Sequence, residues 1–265
     1  MASQAQESYA LKIGERVLVT GANGFIGSNV VDVLLSLGYI DRGTVRSEKP
    51  WLNELFESKY AAAKFETVII PTLDDKDALA AVLDGVSGII HVASDTSFGA
   101  DPNIINYVVS AAEARVVLTS SSVAAVARYP GEFSIVLPQG VYVASKAEGK
   151  RAAYAWVKKN KPSFTFNSVL PNYTLLEGND MVINAFVSQY YIDVKDFARL
   201  HVIALLDPSV KSERIFGLAA PLIWKEVIDT LCELRPAASD KLVKNPPAPV
   251  RAISKLCCQL GPGTC

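Results

Sequence analysis

From Arg16 the chain runs apolar through Val17, Leu18 and Val19, breaks at Gly21, and resumes after two more glycines with Val30, Val31, Val33, Leu34, Leu35 and Leu37. That pattern predicts a strand, a tight turn and an amphipathic helix, in that order. The alternation then repeats. Tyr39–Val45, Lys64–Pro71, Gly88–Ser94 and Arg115–Ser122 read as strands, and Lys76–Leu83 reads as a helix. Asp101 and Pro102 supply the cap and first position of a short helix reaching about Ala114. Helical apolar spacing runs from Tyr142 through Ala147, Ala152, Ala153 and Trp156. Later, Asp193–Leu206 and Trp224–Leu234 read as helices on either side of a short strand, Arg214–Leu218. From Pro236 on, prolines at 246, 247 and 249 and the run Gly261-Pro262-Gly263 predict an extended tail.

Strands that alternate with helices imply parallel crossover units. The expected fold class is therefore α/β, a Rossmann-type doubly wound parallel sheet with a small C-terminal lobe. Residues 1–172 are expected to form the core with its Tyr/Lys helix, and 173–265 a substrate lobe with elements returning to the core.

The first turn carries the first candidate chemistry. Gly21 permits the bend, Gly24 lets backbone approach a pyrophosphate, and Gly27 lets the helix lie on the strand, while the helix N-terminus offers unpaired N–H groups to phosphate. Placed after a strand and before a helix, Gly21, Asn23, Gly24, Phe25, Ile26 and Gly27 predict a dinucleotide site. The second strand ends at Arg46, where a 2′-phosphate is to be expected, so NADPH is favoured over NADH, with Arg42 or Lys49 in support. A solvated surface arginine is the competing reading, and Asp41 lies at the wrong end of its strand to reach a ribose. Ala93 and Ser94, at the carboxyl end of the fourth strand, should approach the cofactor. His91, among apolar strand residues, reads as a satisfied core histidine.

Arg115-Val116-Val117-Leu118-Thr119-Ser120-Ser121-Ser122 brings hydroxyls to the end of the fifth strand. Tyr142 and Lys146 are four apart, on one face of a helix. A tyrosine is a poor acid–base group near neutral pH until an adjacent ammonium favours its phenolate. A surface pair with no function shares that spacing, but its place after the cofactor turn and the serine-ended strand makes it the leading site.

Composition narrows the partners. With 265 residues, net charge −1 and pI near 6.2, nothing points to nucleic acid or an anionic membrane. No signal peptide or membrane span is legible. The cysteines, Cys232, Cys257, Cys258 and Cys265, lack the paired spacing of a zinc site and read as reduced thiols, so the expected setting is cytoplasmic with no metal.

Thr20-Gly21-Ala22-Asn23-Gly24-Phe25-Ile26-Gly27, the Leu118–Ser122 strand end and Tyr142-Val143-Ala144-Ser145-Lys146 together resemble the extended short-chain dehydrogenase/reductase family. Gly43-Thr44-Val45-Arg46-Ser47, His91-Val92-Ala93-Ser94 and Val169-Leu170-Pro171-Asn172-Tyr173-Thr174 are similar to fungal NADPH-dependent aldehyde and ketone reductases, relatives of plant dihydroflavonol and cinnamoyl-CoA reductases. The likeness runs from about Arg16 to Pro221. It implies Tyr142 as general acid, Lys146 as its tuner and ribose ligand, and Ser121 as the group that polarises a carbonyl, with Ser120 and Ser122 beside it. Pro171 and Thr174 match the segment near the nicotinamide. In Pro71-Thr72-Leu73, Thr72 takes the place of the family's usual acidic residue at the adenine. The chain is shorter than the pattern between Asp101 and Ala114, between Ser121 and Tyr142, and after Thr174. The implied function is reduction of an aldehyde or ketone by NADPH in a monomer or homodimer. Alternatives are an isomerase or dehydratase using the same site, and a non-catalytic NADP(H)-binding relative. The substrate is left open.

Overall fold

The structure, a computed structural model, describes residues 9–60, 64–72, 75–93, 115–122, 138–171 and 189–237, with backbone alone at 76, 138–145 and 189. These fall into two compact units, one drawn from Met1–Pro171 and Val194–Gly217, the other from Asn172–Asp193 and Leu218–Cys265.

The first unit is built on seven strands: β1 (Arg16–Thr20), β2 (Ile40–Val45), β3 (Phe65–Ile69), β4 (Val86–His91), β5 (Arg115–Thr119), β6 (Phe166–Pro171) and β8 (Arg214–Gly217). Their order across the sheet is β3-β2-β1-β4-β5-β6-β8 and every pairing is parallel. This is the Rossmann-type sheet, whose order reverses between β1 and β4. Helices α1 (Phe25–Ser36), α2 (Pro50–Lys59), α3 (Lys76–Val82), α4 (Pro138–Asn160) and α5 (Val194–Leu206) belong to this unit. The second unit contains the antiparallel pair β7 (Gln189–Tyr191) and β9 (Ala220–Leu222), then α6 (Trp224–Leu234), with Leu222, Trp224 and Val227 packed together.

The central strands β1 and β5 are covered on both faces and read as continuous apolar runs rather than alternating ones, whereas the edge strands β3 and β8 keep exposed positions. On one face Leu18, Ile89, Val116, Leu118 and Phe166 meet Leu79 and Val82 of α3 and Ala153 of α4. On the other, α1 packs against α5, burying Val30, Val31 and Leu34 from one and Phe197, Val202 and Leu205 from the other. Full burial of such side chains contributes about 1.5–3 kcal/mol each. Local chemistry sets several ends. Asp75 caps α3 by accepting from Asp77 and Ala78 N–H at 3.1 and 3.0 Å, and Pro50 opens α2.

Most of the predicted elements are present within one or two residues. The fourth strand begins earlier, at Val86, and ends at His91, beyond which Ala93 N–H still donates to the carbonyl of Thr20 on β1. Helix α2 and strands β6, β7 and β9 are additional to the sequence prediction. The helix expected over Asp101–Ala114 and the tail after residue 237 lie outside the described residues.

Candidate functional site

All seven strands of the large sheet are parallel, so their carboxyl ends share one rim, and the sequence-predicted residues of this unit sit along it. Gly21 follows β1, Arg46 follows β2, Thr72 comes three residues after β3, Ala93 follows β4, Ser121 follows β5, and Pro171 ends β6. Leu73, Ser94 and Thr174 lie outside the described residues.

The glycine turn is the most closely fitted part of this rim. Gly21 has φ +70°, a conformation an L side chain adopts poorly, and a Cβ there would meet Ala93 at 3.1 Å. A Cβ on Gly27 would lie 2.2 Å from the Gly21 carbonyl oxygen, so only glycine lets α1 start this close to the turn. Thr44 of β2 fixes the turn from below. Its Oγ1 accepts from Gly21 N–H at 3.2 Å and its carbonyl from Ala22 N–H at 3.1 Å. Gly24 is the N-cap of α1, where no side chain caps the helix and no acidic residue occupies the first turn. The first-turn amides therefore face a ligand position without a built-in anion. Asn23, Gly24 and Phe25 are exposed there and Ile26 is half-buried, with Phe25 at 47% the most exposed aromatic of the turn.

At the end of β2, Arg46 is exposed and Lys49 half-buried, with Lys49 Nζ donating to Ser47 Oγ at 2.7 Å. Arg42 is not available beside them. Its guanidinium is engaged by Glu66 at 2.7 Å and by the Val82 and Asp84 carbonyls at 2.7 and 3.2 Å. Asp41 pairs in register with Val17, near the amino end of the sheet and away from the rim. Thr72 is exposed.

The β5 ladder continues beyond the strand, Ser120 N–H donating to Val169 O and Ser122 N–H to Pro171 O, both at 2.8 Å. Ser120, Ser121 and Ser122 are all buried, and Ser120 Oγ has no hydrogen-bond partner among the described residues. Tyr142 is helical, four residues before Lys146 in α4, and its side chain lies outside the described residues. Lys146 is partly buried, and burial brings its pKa down to about 8. It keeps its proton at neutral pH, though it holds that proton far less tightly than a solvated lysine.

Two histidines complete the picture, and both are buried. His91 Nδ1 lies 2.9 Å from Thr20 Oγ1, which also accepts from Ala93 N–H at 3.1 Å. The Thr20 hydroxyl has a second lone pair as well as its proton, so it can either donate to Nδ1 or accept from it, according to the ring's tautomer. Burial, and then the Lys146 charge, push His91 down to about 4. His201 Nε2 lies 2.7 Å from Thr119 Oγ1 and its Nδ1 2.9 Å from Phe197 O. Burial takes it to about 4 as well. Both are core imidazoles, His201 held at both ring nitrogens and His91 at Nδ1. The sequence reading missed the threonines that hold them and missed Thr44. The position of each at or next to the last residue of a strand was the available signal.

Among the described residues no helix is long and apolar enough to cross a membrane, and no cluster of His, Cys, Asp or Glu is placed to hold a metal.

Residues 17–190 match the family described as NAD dependent epimerase/dehydratase. The chain is 37% identical to ketoreductase adrE of Penicillium rubens over 301 residues, covering 94% of this chain and 88% of that protein. It is 33% identical to aldehyde reductase 2 of Sporidiobolus salmonicolor, covering 87% and 84%. Among solved structures, yeast methylglyoxal/isovaleraldehyde reductase Gre2 complexed with NADPH superposes with TM-score 0.71 at 24% identity, covering 87% and 86%. The 301-residue alignment exceeds the 265 residues of the chain, so within the aligned span the ketoreductase carries segments that this chain lacks.

Proposed function

Because the chain belongs to the NAD dependent epimerase/dehydratase family, the extended short-chain dehydrogenase/reductase class, we propose that it reduces an aldehyde or ketone to an alcohol with NADPH. Its relatives named ketoreductase and aldehyde reductase support the reaction type, and NADPH in the similar yeast reductase supports the cofactor. The glycine turn fits a dinucleotide. The Gly27 position has no room for a Cβ, and the α1 N-terminus is uncapped and free of acidic residues.

In this reading Gly21, Asn23, Gly24, Phe25, Ile26 and Gly27 hold the pyrophosphate. Arg46 and Lys49 hold the 2′-phosphate, Thr72 and Leu73 lie at the adenine, and Ala93, Pro171 and Thr174 line the nicotinamide side. Bound NADPH supplies a hydride. Ser121 donates a hydrogen bond to the substrate carbonyl oxygen, favouring the charge that develops there. Tyr142 gives its phenolic proton to that oxygen, and the Lys146 ammonium stabilises the phenolate left behind while binding the ribose hydroxyls.

The observation that carries the reading is the partly buried Lys146, four residues after Tyr142 on α4, still protonated at pH 7 but close to its titration. Turnover should therefore fall as pH rises through about 8. The decisive test pairs calorimetry with NADPH and NADH against nicotinamide absorbance during incubation with a panel of aldehydes and ketones. Preferential NADPH binding and carbonyl-dependent consumption that vanishes in Tyr142→Phe are expected. Absence of binding to either nucleotide refutes the reading, and turnover of substrate with no net NADPH consumption favours an isomerase or dehydratase.

A further inference from the structure

Helix α4 carries Tyr142 and Lys146 near its start and buries Ala147, Lys150 and Ala153 at three-residue spacing. Tyr154 continues that stripe. Its ring stands edge-on to Phe166 of β6, with centroids 5.0 Å apart, and its hydroxyl donates to the Glu213 carbonyl at 2.8 Å. A tyrosine has one proton to give. With that proton on a carbonyl, the Tyr154 oxygen accepts from Ser168 Oγ of β6 at 3.0 Å. Ser168 is wholly buried, so its hydroxyl is met by this bond rather than by solvent.

The far side of this pin is fixed from several directions. The Glu213 carbonyl also receives Ser168 N–H at 3.0 Å, and Glu213 N–H donates to Asn167 Oδ1 at 2.9 Å. Asn167 is buried, and its amide donates to the Ala204 and Val210 carbonyls at 2.9 and 3.2 Å, which ties it to the end of α5 and the loop beyond. Ser212, immediately before Glu213, has φ +58°, a left-handed conformation that serine adopts at a cost. Such strain persists only where the surroundings over-determine the backbone, and here they do so at the point from which a carbonyl reaches across to α4. We propose that Tyr154 is a positioning residue for the Tyr142/Lys146 helix: locked between Ser168 and Glu213, its hydroxyl fixes the roll and axial register of α4 against the β6–β8 end of the sheet. Lys146 lies eight residues earlier, about 12 Å along the axis, so a helix that turns or slips at Tyr154 carries Tyr142 and Lys146 with it. The inference rests on the reading of those two residues as the proton donor and its tuner.

Tyr154→Phe deletes the hydroxyl alone and keeps the ring on Phe166. The experiment is hydrogen–deuterium exchange of the full-length chain, read by mass spectrometry on peptides from α4, which needs neither cofactor nor activity. Exchange should quicken about fivefold, the loss of roughly one hydrogen bond, over residues 140–150 as well as 151–160. Ser168→Ala keeps the bond to Glu213 and should give the same pattern with a smaller rise. In the active enzyme, assayed well below Tm, kcat should fall by a similar factor while KM for the carbonyl changes less. Faster exchange confined to 151–160 marks a purely local brace and overturns the proposal, and so does an unchanged kcat in an enzyme that turns over. If Tyr154→Phe does not fold, unchanged exchange over 140–150 in Ser168→Ala overturns it instead. Faster exchange over 140–150 in a protein that consumes no NADPH with any carbonyl leaves the positioning role standing and rejects the reductase reading.

Discussion

Asp41 offers the sharpest test of the fold. Its side chain is wholly buried on β2, Val17 and Phe65 flank it in the ladder, and neither carboxyl oxygen has a hydrogen-bond partner among the described residues. Burial raises its pKa well above 3.8. A carboxylate without a partner is too costly to bury, so the folded chain keeps the proton that the unfolded chain releases. The sign follows directly: the folded state binds more protons than the unfolded one above pH 3.8, so stability falls as pH rises, until the folded carboxyl itself ionises. The slope is about 1.4 kcal/mol for each pH unit in that window. Asp41→Asn keeps the size and removes the titration, so its advantage over wild type should grow from pH 5 to pH 6. Asp41→Val also removes the unmet polar atoms, for a further gain of about 1–3 kcal/mol, part of it lost in fitting a bulkier side chain. Urea unfolding followed by circular dichroism at both pH values supplies the numbers, and the histidine contributions common to both proteins cancel in the difference. Parallel pH profiles for wild type and Asp41→Asn would refute the reasoning.

The other expectations concern the cofactor rim and the histidines. Gly27→Ala puts a methyl 2.2 Å from the Gly21 carbonyl oxygen, so NADPH affinity should fall more than tenfold with a lower Tm; a wild-type Kd by calorimetry contradicts the close fit. Arg46→Ala should weaken NADPH about tenfold, the loss of one exposed charge-assisted contact, and leave NADH binding unchanged. An equal loss for both nucleotides would remove Arg46 from the 2′-phosphate. His91 and His201 are held near pKa 4 against an ordinary 6.5, so the unfolded chain gains protons first and stability drops as pH falls from about 6.5 to 4, by about 3 kcal/mol for each ring. His201→Gln should lower stability at pH 7 and flatten that acid slope, and an unchanged slope in urea titrations at pH 4.5 to 6 would show that the imidazole is not buried neutral.

The strand and helix order was legible because each strand of a doubly covered parallel sheet is a short apolar run bounded by turn residues, and each helix repeats every three or four positions. The glycine turn was legible because Gly21 and Gly27 answer to backbone geometry that no other residue satisfies. Helix α2 was not, since its face alternates buried Leu52 and Phe56 with exposed Trp51 and Leu55, which blurs the periodic signal. Arg42 looked as eligible as Arg46 for a phosphate, because spacing along a strand does not say which side chain turns back to Glu66 and the Val82 carbonyl. The threonine partners of the two histidines were hidden for the same reason. They are 71 and 82 residues away in sequence, brought close only by the order of strands in the sheet and the packing of α5 on it.

The large unit is not one continuous stretch of chain. It leaves at Pro171 and is completed only by Val194–Gly217, which supplies α5 against α1, the His201 latch on Thr119, and β8 beside the fully buried β6. On a ribosome, the first six strands emerge while one apolar helix face and one sheet edge still have no cover. The nascent protein must hold the β6 edge open until nearly fifty more residues have been made. A truncation after Pro171 would preserve that vulnerable stage permanently, so excising a minimal nucleotide-binding fragment at that point should yield an aggregating species rather than a smaller working one.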